Sequence, residues 1–142
     1  MIDFFKKEEE QRIIAAIRKA ESQTSGEIRV HLEKDFEGKV EDAALKTFAR
    51  LRMDRTADNN GVLVFIVPSK KQFAIIGDKG IHAKVPPGFW QDVRDVMQHH
   101  FRDGNYAEGV CQGVLLAGQK LKEHFPWQSD DENELPDEIS YG

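Results

Sequence analysis

The chain has a single cysteine, Cys111. That excludes an internal disulfide and any cysteine-rich zinc cluster. Cys111 lies in an apolar, helix-like segment with no His or Lys beside it, so it reads as a buried structural thiol rather than a nucleophile. Long apolar runs are also missing. The longest, "GVLVFIV", falls far short of the ~20 residues that span a bilayer. The N-terminus, "MIDFFKKEEEQR", lacks the basic start, the apolar stretch and the small-residue cleavage site of a secretory signal. The cytoplasm is therefore the expected compartment, with no direct membrane insertion. A dense basic stripe is absent as well. Six of the 25 acids (Asp130, Asp131, Glu132, Glu134, Asp137 and Glu138) lie in residues 127–142, leaving 19 acids against 20 Lys and Arg in the rest. A body this close to neutral argues against nucleic acid as its main partner. No Walker loop, Cys-x₅-Arg loop, DxDx nucleophile or twelve-residue calcium loop occurs. The five histidines, His31, His82, His99, His100 and His124, show no metal-ligand spacing.

What is present is a globular composition, 39% apolar and 32% charged over 142 residues. It predicts one folded domain over residues 1–126 and an acidic, disordered C-terminal tail over 127–142. Ile13, Ile14, Ile17 and Ala20 share one face of a helix over 4–21, and Ser22 to Gly26 end it. "EIRVHLE" alternates Ile28, Val30 and Leu32 against Arg29, His31 and Glu33, predicting a strand with one polar face. Ala44, Leu45, Phe48 and Leu51 then repeat at helical spacing. "GVLVFIV" reads as a strand covered on both faces, and the turn Pro68–Lys71 leads into a hairpin partner, "QFAIIG".

Phe89, Trp90, Val93, Val96, Met97, His100 and Phe101 step by three and four, a helix with a large aromatic face. Trp90 reads as core, and Trp127 as a cover for the last helix. That helix, over 106–123, sets Gly109, Gly113 and Ala117 four residues apart. Glycine inside a helix costs about 1 kcal/mol relative to alanine, so these positions predict a close neighbour. The order α-β-α-β-β-α-α fits an α/β fold, a small mixed sheet covered by helices.

Topology brings acidic and amide side chains together. A β-α-β unit makes the strands over 27–33 and 61–67 parallel, and the hairpin makes the strand over 72–77 antiparallel to the latter. The starts of the first two strands and the end of the third then share one edge. Ser25, Glu27, Asp54, Asp58, Asn59, Asn60 and Asp78 collect there. Converging oxygen donors suit Ca²⁺ or Mg²⁺, whereas clustered carboxylates without a cation repel one another. The same residues also fit ordinary turn chemistry, since Asn60-Gly61 is a common turn pair.

Several stretches resemble the TPM domain, a family of bacterial proteins and a plant thylakoid-lumen protein. They are "SGEIRVHLE", "ALKTFARLRMDRTADNNGVLVFIV", "FAIIGDKGI" and "HFRDGNYAEGVCQGVLLAGQKL". The likeness covers residues 8–124. Its carriers are Ser25-Gly26-Glu27-Ile28, Asn59-Asn60-Gly61, Gly77 with Gly80-Ile81, and Gly104 with Gly109. The resemblance implies a three-layer α/β/α sandwich with a small four-stranded mixed sheet, divalent-cation binding at the sheet edge, and an acid phosphatase activity proposed for relatives. Relatives are also linked to membrane-protein maintenance, which implies a protein partner. Many carry a signal peptide and an anchor, so this chain resembles a stand-alone version. It departs from the pattern after Gly80-Ile81, where His82-Ala83 and Pro86-Pro87 stand in place of Glu-Gly and Pro-Asp. Asp78 replaces an aromatic residue.

Three functions compete. A metal-binding regulatory or interaction module needs only ligands, Asp58 and Asp78 first, then Glu27, Asn59, Asn60 and Asp54. A metal-dependent phosphatase needs in addition an activated nucleophile, and a phosphate-binding group such as Lys79. A metal-independent scaffold needs neither.

Overall fold

Seven consecutive buried residues, Gly61–Val67, form the strand on which the sheet is built. A computed structural model describes residues 4–127 and 135–142. The chain forms two compact units, a sheet unit (27–84 and 135–142) and a helical unit (4–26 and 85–127).

In the sheet unit, β1 (Glu27–Leu32), β2 (Gly61–Val67), β3 (Gln72–Gly77) and β4 (Ser140–Tyr141) make a four-stranded sheet ordered β3-β2-β1-β4. β1 runs parallel to β2 from Glu27↔Gly61 to Leu32↔Ile66, while β3 is antiparallel to β2 from Val62↔Gly77 to Val67↔Gln72. A 3₁₀ turn at Pro68–Lys70 and Lys71 at φ 54° close that hairpin. α2 (Val40–Arg50) packs Ala44 and Phe48 onto Leu63, Phe65, Val67 and Ala74. The mixed four-stranded sheet with its helices is the α/β sandwich class expected from the pattern. The polar face expected for β1 is not solvated. Both Glu27 and His31 are buried, because neighbouring strands and side chains enclose them.

The tail departs from expectation. Residues 135–142 lie in the sheet unit, with Leu135, Ile139 and Ser140 buried and β4 paired in parallel with β1. Apolar residues at 135 and 139 supply what the acidic neighbours conceal, a face that docks. The other tail acids, Asp130, Asp131, Glu132 and Glu134, lie outside the described residues.

The helical unit contains α1 (Lys7–Glu21), α4 (Gln91–Arg102) and α5 (Tyr106–Leu121). α3 (Lys79–His82) belongs to the sheet unit. Gly109 and Gly113 make room for the side chains of Phe101 and Met97 on α4, and Gly118 faces the backbone of Ala20 on α1. The close neighbour predicted by small residues on this helix is thus real, but the backbone approach falls at Gly118. Trp90 is buried against Phe89 with ring centroids 4.8 Å apart. Trp127 is 50% exposed, so it does not serve as the cover expected of it. Cys111 is buried, and burial pushes its thiol pKa up. Among the described residues no helix is long and apolar enough to cross a membrane.

Candidate functional site

Backbone pairing sets the shared edge of the sheet. Glu27 opens β1 opposite Gly61, and its N–H donates to the carbonyl of Asn60 at 3.1 Å. On the other side of β2, the N–H of Asp78 donates to the carbonyl of Gly61 at 2.9 Å. Glu27, Asn60 and Asp78 therefore lie on three adjacent strand ends, as the topology predicts.

Thr56 folds the loop before β2. Its hydroxyl accepts the N–H of Asn60 at 3.1 Å, and its carbonyl accepts the N–H of Asn59 at 3.3 Å. Asn59 takes a left-handed conformation at φ 50°, which asparagine tolerates better than most side chains. Beyond β3, Asp78 starts the short helix α3 by accepting the N–H of Lys79 on Oδ1 at 2.8 Å. Ile81 is fully buried and packs over Gly77, where a Cβ would lie 3.1 Å from its Cγ2.

Gly80 joins the two loops. A Cβ there would lie 2.5 Å from the carbonyl oxygens of both Asp58 and Asn59. α3 therefore rests on the backbone of the 58–59 turn, and only glycine permits that approach. The 58–59 carbonyls thus crowd the helix that Asp78 starts, two residues after its carboxylate. Asp78 is buried, and its Oδ2 has no hydrogen-bond partner among the described residues. Buried polar oxygens are normally satisfied, so this one stands out.

The expected residues differ in their surroundings. Asp58 and Asp54 are exposed, Asp54 on a 3₁₀ turn at Met53–Arg55, and Asn59 is half-buried. Asn60 is buried, and its main-chain carbonyl joins β2 to β1. Glu27 is buried with Oε1 accepting the N–H of Leu135 at 2.7 Å, so part of this carboxylate holds the C-terminal segment. Ser25 lies in the helical unit, where its N–H donates to the carbonyl of Phe125 at 2.9 Å. Among the described residues no group of three or more His, Cys, Asp and Glu side chains is placed to hold a metal ion. Any cation here would rely on carbonyl oxygens and water beside Asp78, a donor set that suits hard cations.

Sequence reasoning missed Thr56, and it gave Gly80 no part beyond carrying the family resemblance. Their signals were present, a Thr four residues before Asn60 and a Gly two after Asp78. Carbonyl donors leave no trace in side-chain chemistry, so their convergence was not visible.

Comparisons with known proteins bear on the family and the fold. No curated protein matches the chain. The BA42 protein of the psychrophilic bacterium Bizionia argentinensis, solved by NMR, superposes with a TM-score of 0.94 at 46% identity, covering 100% of this chain and 98% of that one. The N-terminal domain of a P. gingivalis protein gives a TM-score of 0.71 at 27% identity over 87% of this chain and 80% of that one. The N-terminal domain of the cg2496 protein from Corynebacterium glutamicum shares the fold alone, with a TM-score of 0.65 at 12% identity over 95% of this chain and 79% of that one. The family model described as the TPM domain matches residues 2–120, and the chain belongs to that family.

Proposed function

We propose that the sheet edge binds a divalent cation, Ca²⁺ or Mg²⁺, and that the protein acts as a metal-modulated interaction module. One observation carries the reading, the buried Oδ2 of Asp78 without a hydrogen-bond partner among the described residues, at the start of the helix whose Gly80 meets the 58–59 carbonyls. A carboxylate oxygen in that position is stabilised by a cation more than by anything else a loop of carbonyls offers. Asp58 and Asn59 stand on the same turn and complete the ligand set, with water in the remaining positions. Asp54 and Asn60 adjoin it, and Glu27 acts mainly through the C-terminal segment it holds. Bound metal would fix the 56–60 turn against α3 and set the surface that this end of the sheet presents to a protein partner. A reducing cytoplasm suits a chain whose one thiol is free and buried.

The test is an amide NMR titration of metal-stripped protein with Ca²⁺ and then Mg²⁺. Saturable shifts confined to 54–61 and 78–82 are expected. Asp78→Asn keeps the Oδ1 that caps α3 and removes the charge. It is expected to weaken binding by about tenfold to a hundredfold, the equivalent of about 1.5–3 kcal/mol for a charge-assisted contact. Wild-type affinity in this variant would place the cation elsewhere, and no shifts at millimolar metal would end the reading. Metal-dependent hydrolysis of an aryl phosphate, lost in Asp78→Asn, would instead favour the phosphatase alternative.

A further inference from the structure

β3 ends the sheet. The order β3-β2-β1-β4 places β2 on one side of it and, among the described residues, no strand on the other. In an antiparallel edge strand, alternate residues turn their backbone groups outward. The Asp78 N–H bonds the Gly61 carbonyl, so Ile76, Ala74 and Gln72, in step with Asp78, direct their backbone groups to β2. Phe73, Ile75 and Gly77 direct theirs away from it. Among the described residues no backbone hydrogen bond beyond the β2–β3 ladder involves Ile75 or Gly77.

Proteins usually blunt a strand edge with charge, proline, a bulge or shortness. β4, at the opposite edge, is two residues long. β3 has six, "QFAIIG", with no charge and no proline, and its register runs unbroken from Val62↔Gly77 to Val67↔Gln72. Gln72 is exposed, and Phe73 and Ile76 are half-buried. Charge stands just beyond the ends, on exposed Lys71 before the strand and exposed Lys79 after it. Of the charges between and beside them, Asp78 is buried and Lys70 is engaged by Asp35 at 3.1 Å.

Those lysines select what the edge accepts. A second copy, pairing antiparallel, uses all three outward residues only with Ile75 opposite Ile75. That register sets Lys71 of each copy against Lys79 of the other, and like charges facing across strands destabilise a pair. Acids at both ends of an incoming strand reverse the sign. The opposite edge of this sheet already takes such a segment. Asp137 and Glu138 lead into Ile139 and Tyr141, β4 pairs with β1, and the Glu138 charge favours ionised Arg29.

We propose that β3 is a docking edge: an extended segment of a partner protein, apolar at its centre and acidic at both ends, adds to the sheet beside it. Its main chain bonds the outward groups of β3, which gives affinity, and its acids meet Lys71 and Lys79, which gives selection. This rests on the reading of the chain as an interaction module, but not on the cation.

The experiment is amide NMR on the full chain in chelator, with a synthetic peptide that alternates Val and Thr between acidic ends. In the free chain the Ile75 amide is expected to exchange faster than those of Ala74 and Ile76. Peptide is expected to slow it, with saturable shifts along 71–79. Methylating the backbone nitrogens on the pairing edge of the peptide is expected to weaken binding at least about tenfold. Lys in place of the acids is expected to weaken it at least about threefold at low salt, and Lys71→Glu with Lys79→Glu to reverse that preference. Four outcomes overturn the docking edge. The Ile75 amide is already as slow as its neighbours in the free chain, or the acidic peptide gives no saturable shifts along β3, or the methylated peptide binds equally well. The fourth is protection that rises with protein concentration without peptide, which makes a second copy the occupant. A cation titration of the same protein succeeds or fails separately, since chelator removes metal from this test.

Discussion

At the scale of single residues, Glu27 shows how one carboxylate can be claimed by two roles. Its position at the start of β1 made it a metal candidate, yet its Oε1 takes the Leu135 N–H at 2.7 Å in a buried setting. Removing that acceptor leaves a buried donor unsatisfied, at a cost of about 1–3 kcal/mol. Glu27→Ala is therefore expected to destabilise the protein by that amount in urea unfolding, while Glu27→Gln, which keeps an acceptor oxygen, loses clearly less. Metal affinity is expected to stay within about threefold of wild type in the glutamine variant, under 1 kcal/mol of binding energy. A larger loss would make Glu27 a ligand after all. Legibility at this scale follows the chemistry. Asp78 was legible in the sequence because the strand order brings it to the edge where the other oxygen donors collect. His31 did not, because alternation in "EIRVHLE" assigned it to the more polar face of the strand, and its enclosure depends on Phe65 and Ser140, 34 and 109 residues away.

At the scale of elements, the crossing of α1 and α5 turns on Gly118. A Cβ there would lie 2.7 Å from the Ala20 Cβ and 2.9 Å from its Cα. Two opposing effects meet in Gly118→Ala. Helix propensity favours alanine by about 1 kcal/mol, and overpacking against backbone costs about 1–3 kcal/mol. Since a Cα cannot swing aside as a long side chain can, the second is expected to win, lowering the urea midpoint at unchanged m-value. A rise in midpoint would mean that the two helices separate at little cost. The same physics explains which elements the sequence revealed. β2 and β3 were bounded correctly, because a continuous apolar run and a proline-led turn leave few alternatives. α3 is only four residues long, too short for any periodicity, and β4 is two residues within an acid-rich stretch. Each is specified by what it touches: Gly77 and the 58–59 carbonyls for α3, β1 for β4. Contacts so distant in sequence leave no local pattern.

At the scale of the whole molecule, the proposed cation and the fold are thermodynamically linked. A ligand that binds only the folded state adds about 2.7 kcal/mol of stability at a hundred times its Kd. For a chain of 142 residues, that corresponds to a rise in Tm of about 5–10 °C. Saturating Ca²⁺ or Mg²⁺ is expected to produce such a rise over chelator-treated wild type, and a much smaller one over chelator-treated Asp78→Asn at the same concentration. Hydrogen exchange then says where the stability goes. The proposed ligands all belong to the sheet unit, so slowed exchange is expected first in residues 54–61 and 78–82, and next along the β2 and β3 ladders that these loops terminate. If helices α1, α4 and α5 gain protection equally, the molecule opens as one cooperative body; if they gain none, the two units open separately and metal governs only the sheet. Equal Tm rises in wild type and Asp78→Asn would remove the buried carboxylate from the linkage and, with it, the physical basis for a cation at this edge.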